Sequence, residues 1–166
     1  HHNPMISPYA MTKYLGEELC KLYKSAYNLN IHITRFYNVY GPYEILEGDW
    51  AAVIGKWRNQ IKNGLPISIV GDGNQKRDFT HIKDIVDGLV KINKKKSDNF
   101  IWELGSGKNY SINDVYEMFK KRFDCKCVYL DDQKGNYRET LRQNDHALDE
   151  LGWNPTGSLE EYISNL

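Results

Sequence analysis

The sequence predicts an α/β fold, and three observations carry that expectation. Helical and strand-like patterns alternate along the whole chain instead of segregating into blocks. The strand candidates are short apolar runs, and Gly41-Pro42, Gly71 and Gly105 punctuate three of them. At 166 residues, 40% of them hydrophobic, the chain suits one full domain or parts of two, with enough apolar material for a core.

The elements follow in order. Pro8 opens a helical stretch that runs to about Asn28, and Ile31 to Phe36 is a short strand. Trp50 to Asn63 is a second amphipathic helix, and Ile67 to Val70 is a strand. Arg77 to His81 is extended and Ile82 to Asn93 helical; Phe100 to Leu104 is an apolar strand ended by Gly105-Ser106-Gly107. Ser111 with Asp114 three residues on forms a capping signature ahead of the apolar Val115, Met118 and Phe119. Lys126 to Leu130 is a strand, and Asp145 to Leu151 and Ser158 to Ile163 are short closing helices. No internal repeat or low-complexity tract interrupts this order.

Composition removes several functions. Lys plus Arg and Asp plus Glu are 22 each, so there is no basic footprint for nucleic acid. No apolar run approaches the roughly 18 residues of a membrane helix, so no membrane partner is expected. Of the three cysteines, Cys125 and Cys127 are spaced wrongly for a zinc hook or a disulfide framework and read as thiols of a reducing compartment; no metal site is expected. With no signal peptide visible, a cytoplasmic setting is the expectation, and His1 and His2 read as a tag remnant.

A Tyr and a Lys four apart on a helix share a face, where an ammonium favours the ionised form of a neighbouring phenol. Tyr9 and Lys13 have this spacing, and so do Tyr116 and Lys120. Roughly one such pair arises by chance in a chain this rich in both residues. Tyr116 reads more simply as part of an amphipathic helix.

Context separates the pairs. Ser7-Pro8-Tyr9-Ala10-Met11-Thr12-Lys13, followed by Gly16-Glu17-Glu18, resembles the catalytic helix of the extended short-chain dehydrogenase/reductases that act on nucleotide sugars. Arg35-Phe36-Tyr37-Asn38-Val39-Tyr40-Gly41-Pro42 is similar to the family's next strand end, and Trp50 to Trp57 to its next helix as sugar 4-epimerases write it. Gly71-Asp72-Gly73-x-Gln75-x-Arg77-Asp78-Phe79-x-His81-x-x-Asp84 resembles its substrate-region signature; Leu151-Gly152-Trp153-x-Pro155 with Ser158 to Glu161 resembles its C-terminal end. Five motifs in the family's order span nearly the whole chain.

The resemblance implies a fold: the C-terminal part of a Rossmann-type doubly wound sheet joined to a small α/β substrate-binding region. Residues 1–45 would hold the catalytic helix and following strand of the Rossmann-type domain. Residues 46–166 would be mainly substrate-binding, with a helix and strand at 82–104 returning to the Rossmann-type sheet. The Gly-rich turn that seats a dinucleotide pyrophosphate is not found: Gly71/Gly73 and Gly105/Gly107 both lack the third glycine and read as turns. The chain is therefore expected to be a C-terminal portion, inactive and nearly without NAD affinity on its own.

It also implies roles. Tyr9 would take the proton from the sugar 4-hydroxyl as hydride leaves C4 for NAD, and Lys13 would assist and hold the nicotinamide ribose, so both residues serve catalysis and cofactor binding. Arg77 would clamp the diphosphate, unless it pairs structurally with Asp78 or Asp84. Asn38 would line the same pocket, or be a strand-end turn residue, and the backbone of Ile67 to Ile69 would face the base. The family's second phosphate-binding Arg is missing ahead of Gly135; Lys134 or Arg138 would substitute, Lys134 otherwise being a surface lysine. His81 is given a structural role. The expected activity is nucleotide-sugar 4-epimerisation, with a 4,6-dehydratase, a decarboxylase or a non-catalytic sugar-nucleotide binder as alternatives. A homo-oligomer is expected, with Tyr14, Leu15, Leu19 and Leu22 forming a stripe that faces either a second copy or the chain's own core.

Overall fold

A computed structural model of the chain describes residues 7–95 and 100–166; the reading of His1 and His2 lies outside them. Ser7 caps the first helix, α1 (Pro8–Tyr27), its hydroxyl accepting from the Ala10 N–H, and Asn28 ends it in the left-handed conformation. Then come β1 (Ile33–Phe36), β2 (Asn38–Tyr40), α2 (Val53–Lys62), β3 (Ile67–Val70), β4 (Lys76–His81), α3 (Ile82–Lys94) and β5 (Ile101–Leu104). The chain closes with β6 (Asn109–Ser111), α4 (Ile112–Phe123), β7 (Cys127–Leu130), α5 (His146–Leu151) and α6 (Leu159–Ser164). None of the helices is long and apolar enough to cross a membrane, among the described residues.

Among the described residues the strands form three small sheets. β1 lies parallel to β5, with Ile33 beside Ile101 and Phe36 beside Leu104, after α3 has brought the chain back. β4 sits between β2, which is parallel to it, and β6, which is antiparallel. β3 pairs in parallel with β7. β2 and β6, three residues each, carry no period of their own and exist because β4 offers both edges.

Two apolar clusters hold these layers. One gathers Trp57, Ile67, Ile69, Phe79, Val115 and Phe119 with Leu159 and Ile163; the other joins Ile85, Ile92, Trp102 and Leu104 to Ala147 and Trp153. The buried indoles are satisfied, Trp57 donating to the Ser68 carbonyl and Trp153 to the Asp84 carbonyl, each at 2.8 Å. The Ser111–Asp114 signature forms a full capping box, side chain to backbone in both directions at 3.0 and 2.9 Å.

Two expectations need correction. The second helix starts at Val53, not Trp50, because Ala52 is extended and Ala51 N–H closes a turn onto Gly48. Gly55 in its first turn brings the Ile45 carbonyl where a Cβ would stand 2.2 Å away, so the preceding loop lies directly on the helix. The stripe of α1 does not face the chain's own core: this 20-residue helix has no buried residue.

Candidate functional site

Tyr9 and Lys13 lie in the first turns of α1, one turn apart, with the Lys13 ammonium 5.2 Å from the Tyr9 ring centroid. Both face a hollow of about 340 Å³ whose far walls are Phe36 at the end of β1, Tyr37 after it, Glu103 in β5, and Tyr137, Glu139, Thr140, Leu141 and Gln143. The second Tyr–Lys pair is different in kind: Tyr116 is buried and its hydroxyl donates to the Cys125 carbonyl at 3.1 Å.

Of the tyrosines at this hollow, Tyr37 is committed. Its hydroxyl donates to Glu103 at 2.9 Å, and burial together with the Glu103 charge pushes its pKa above the ordinary range. Glu103, itself buried, also accepts from the Gln143 N–H at 2.6 Å and from Arg35 at 3.2 Å. Arg35 makes its closest pair with Glu17 of α1 at 2.7 Å, which ties the otherwise unburied helix to the sheet. Tyr9, a residue 63% exposed, lines the hollow where a ligand can reach it.

A second hollow of about 220 Å³ is lined by Asn38, Val53, Lys56, Ser68, Val70, Gln75, Arg77 and Asn136 among others. Its lining has no residue in common with the first, but both draw on the same two segments of chain. Phe36, Tyr37 and Asn38 run from one to the other, and the segment 133–143 lines the second with Gln133 and Asn136 and the first from Tyr137 onward.

Arg77 does not pair with Asp78 or Asp84. Its guanidinium reaches the Asn136 side-chain oxygen and the Lys76 carbonyl, and no carboxylate among the described residues neutralises it. Burial, with the charge of Arg138 nearby, lowers its pKa. Asp78 is fully buried and accepts from the Ser106 N–H and hydroxyl and the Gly107 and Arg142 N–H groups. Asp84 accepts from the Thr156 and Gly157 N–H groups.

The same hollow holds features the sequence reading missed. Lys56 lines it, and α2 begins there at Val53 behind Ala52, a residue with no side chain that could cap the helix. An open helix N-terminus beside Lys56 and Arg77 is a place for an anion. The signal was present as Lys56 within the Trp50 to Trp57 segment, but only the true helix start gives it meaning.

The remaining expectations are redistributed. Ile67 and Ile69 have fully buried side chains, and the alternate residues Ser68 and Val70 line the hollow, as strand alternation requires. The backbone there is already occupied: Ile67 N–H donates to the Lys126 carbonyl, and Ser68 exchanges hydrogen bonds with Gln60 and Trp57. Lys134 is exposed and lines neither hollow. Arg138 is turned to Asp72 in a paired contact of 3.0 and 3.2 Å. His81 caps α3, its Nδ1 accepting from the Lys83 N–H. Among the described residues no group of three or more His, Cys, Asp or Glu is placed to hold a metal ion.

The NAD dependent epimerase/dehydratase family matches residues 2–105. A UDP-glucuronate 4-epimerase of Thermodesulfobacterium geofontis is 36% identical over 94% of this chain and 48% of its own length. The crystal structure of UDP-glucuronic acid 4-epimerase from Bacillus cereus, in complex with UDP-glucuronic acid and NAD, superposes with a TM-score of 0.87 at 30% identity over 95% of this chain and 50% of that one. A UDP-glucose 4-epimerase from Thermotoga maritima with UDP-glucose also superposes with a TM-score of 0.87, at 30% identity over 96% of this chain and 52% of that one. The chain thus spans about half the length of these relatives and shares their Rossmann-like α/β fold.

Proposed function

Because the chain belongs to the NAD dependent epimerase/dehydratase family, we propose that it is the substrate-side portion of a nucleotide-sugar 4-epimerase. One observation carries this reading: the segments 36–38 and 133–143 contribute residues to two hollows, one with a phenol and an ammonium, the other with an unneutralised guanidinium at an open helix N-terminus. A nucleoside diphosphate sugar has the matching order, anionic in the middle and hydroxylated at one end.

In this arrangement Arg77, Lys56 and the first turn of α2 bind the diphosphate, and Asn38 lines the same hollow. The sugar ring then enters the hollow at Tyr9. Tyr9 takes the proton from the 4-hydroxyl, and Lys13 stands one turn away to stabilise the charge that develops. Tyr37 does not compete as acceptor, since its hydroxyl is held by Glu103. The Glu17–Arg35–Glu103 chain of charges keeps α1, and so Tyr9, against that wall.

The residues present fit one end of NAD. The exposed Tyr9 phenol and Lys13 ammonium suit its nicotinamide ribose, whereas Gly105-Ser106-Gly107 offers the pyrophosphate no seat because the Asp78 carboxylate already takes its N–H groups. When bound, NAD supplies the reversible removal of hydride from the sugar C4.

Calorimetric titration of the chain with UDP tests the reading. UDP is expected to bind, and Arg77→Ala to weaken it about tenfold or more, while Tyr9→Phe leaves UDP affinity unchanged. Equal affinity for UDP in the chain and in Arg77→Ala would remove the clamp. The chain supplied with NAD and UDP-glucose is expected to give no turnover; turnover that survives Tyr9→Phe would remove Tyr9 as the base.

A further inference from the structure

β7 pairs with β3 alone, and its other edge has no partner strand among the described residues. Ile67 N–H donates to the Lys126 carbonyl at 2.8 Å and Gly71 N–H to the Leu130 carbonyl at 2.9 Å, so the even-numbered residues of this stretch turn their backbone groups to β3. Strand geometry then turns the N–H and C=O of Cys127 and Tyr129 outward. The far edge of β3 is covered by side chains of α2: Ser68 N–H donates to Gln60, and the Ser68 carbonyl accepts from Trp57. β7 has no such cover among the described residues, and Val128, Tyr129 and Leu130 are all exposed. An exposed apolar edge strand is a template for pairing.

The two ends of this strand carry opposite charges. Lys126 precedes it, Asp131 and Asp132 follow it, and all three are exposed. Such a strand complements its own copy laid antiparallel, because a two-fold axis sets each end against the other. Antiparallel pairing matches outward-facing residues with outward-facing residues, which leaves few registers. With Tyr129 opposite the copy's Tyr129, Val128 meets the copy's Leu130 and Lys126 meets the copy's Asp132, each twice, on one face of the sheet. Moving the axis to Leu130 would set Lys126 against the copy's Lys134, and moving it to Val128 would set Lys126 against the copy's Leu130. The charges select the register centred on Tyr129.

We propose that the open edge of β7 docks a second copy of this chain, antiparallel and with the two-fold axis at Tyr129, so that two β3–β7 sheets merge into one. Backbone hydrogen bonds supply the pairing, Val128 against Leu130 buries apolar surface, and the two Lys126–Asp132 pairs fix the register. This edge is distinct from the exposed stripe of α1. Each of the two surfaces is self-complementary, so a chain that uses both assembles beyond a dimer.

The test is sedimentation velocity of the whole chain carrying Leu15→Glu and Leu19→Glu, which block the α1 stripe, with circular dichroism to confirm folding. This background is expected to form a concentration-dependent dimer. Lys126→Asp and Asp132→Lys, each added alone, are expected to weaken that dimer about tenfold, because each sets like charges face to face, and the two together to restore it. Tyr129→Pro removes an outward N–H that β3 does not use and is expected to leave monomer. The charge exchange stands independent of any effect Tyr129→Pro has on folding. A background that is monomeric at every concentration overturns the proposal. So does a dimer that the single charge changes leave untouched, or one that the double change fails to restore.

Discussion

Asp78 shows how a single buried carboxylate organises the chain. Four donors from the Gly105–Gly107 turn and Arg142 converge on it, so it occupies the kind of N–H cradle that elsewhere receives a phosphate. Asp78→Leu strands those donors, and its folding stability is expected to fall by about 3 kcal/mol or more, read from urea unfolding. Histidines set an acid limit. Burial lowers the pKa of His81, and burial with the Lys24 charge lowers that of His32; each Nδ1 accepts a hydrogen bond, from Lys83 N–H and Trp102 Nε1 respectively, that protonation would break. The unfolded chain, with histidines near their ordinary value of about 6.5, therefore takes up protons first. Stability contributed by these groups is present at neutral pH and lost as pH falls through about 6.5 toward the lower folded values. Urea midpoints between pH 7.5 and 5 are expected to drop, and to drop less in His81→Asn, which keeps a helix cap without titrating. At this scale Tyr9, Lys13 and Arg77 were readable, because motif spacing names them. The commitment of Tyr37 to Glu103 and the diversion of Arg138 to Asp72 were not, because both depend on partners 66 residues away.

Elements differ in how firmly they are held. α4 is capped at its start and sends Val115 and Phe119, both fully buried, into the larger core. Phe119→Ala is expected to cost about 3–5 kcal/mol, since it removes the ring that meets Trp57 edge-on at 5.4 Å. α1 has the opposite construction. A Ser7 cap, the Arg35–Glu17 pair and a Lys24 ammonium 5.0 Å from the Phe100 ring hold it, with no buried residue. Its amides are expected to exchange with deuterium far faster than those of α4, and Arg35→Ala to accelerate α1 selectively; equal protection of the two helices would contradict this account. α1, α3, β3 and the capping box were legible to within a residue or two because their signals are local, whereas the start of α2 was three residues off. β2 and β6 were not, since three-residue strands are defined by the neighbour that pairs with them.

On the scale of the molecule, the chain has two cores and one bare helix. Leu15, Leu19 and Leu22 of α1 are each more than half exposed and form an apolar stripe of the kind that marks an association face. Sedimentation velocity is expected to show association that rises with concentration, and Leu15→Glu with Leu19→Glu to shift the chain toward monomer. A monomer at all concentrations in the unaltered chain would rule out self-association through this face.

By itself the sequence determined the α/β alternation, which is written in short-range periodicity, and the family, whose resemblance in five ordered motifs singles out the phenol, the ammonium and the guanidinium as candidates. Tertiary structure alone decided that the segments 36–38 and 133–143 contribute to two hollows and that α2 opens uncapped onto one of them. Those properties arise where segments distant in the chain meet, and hydrogen-bond satisfaction can be counted only once the partners stand in place.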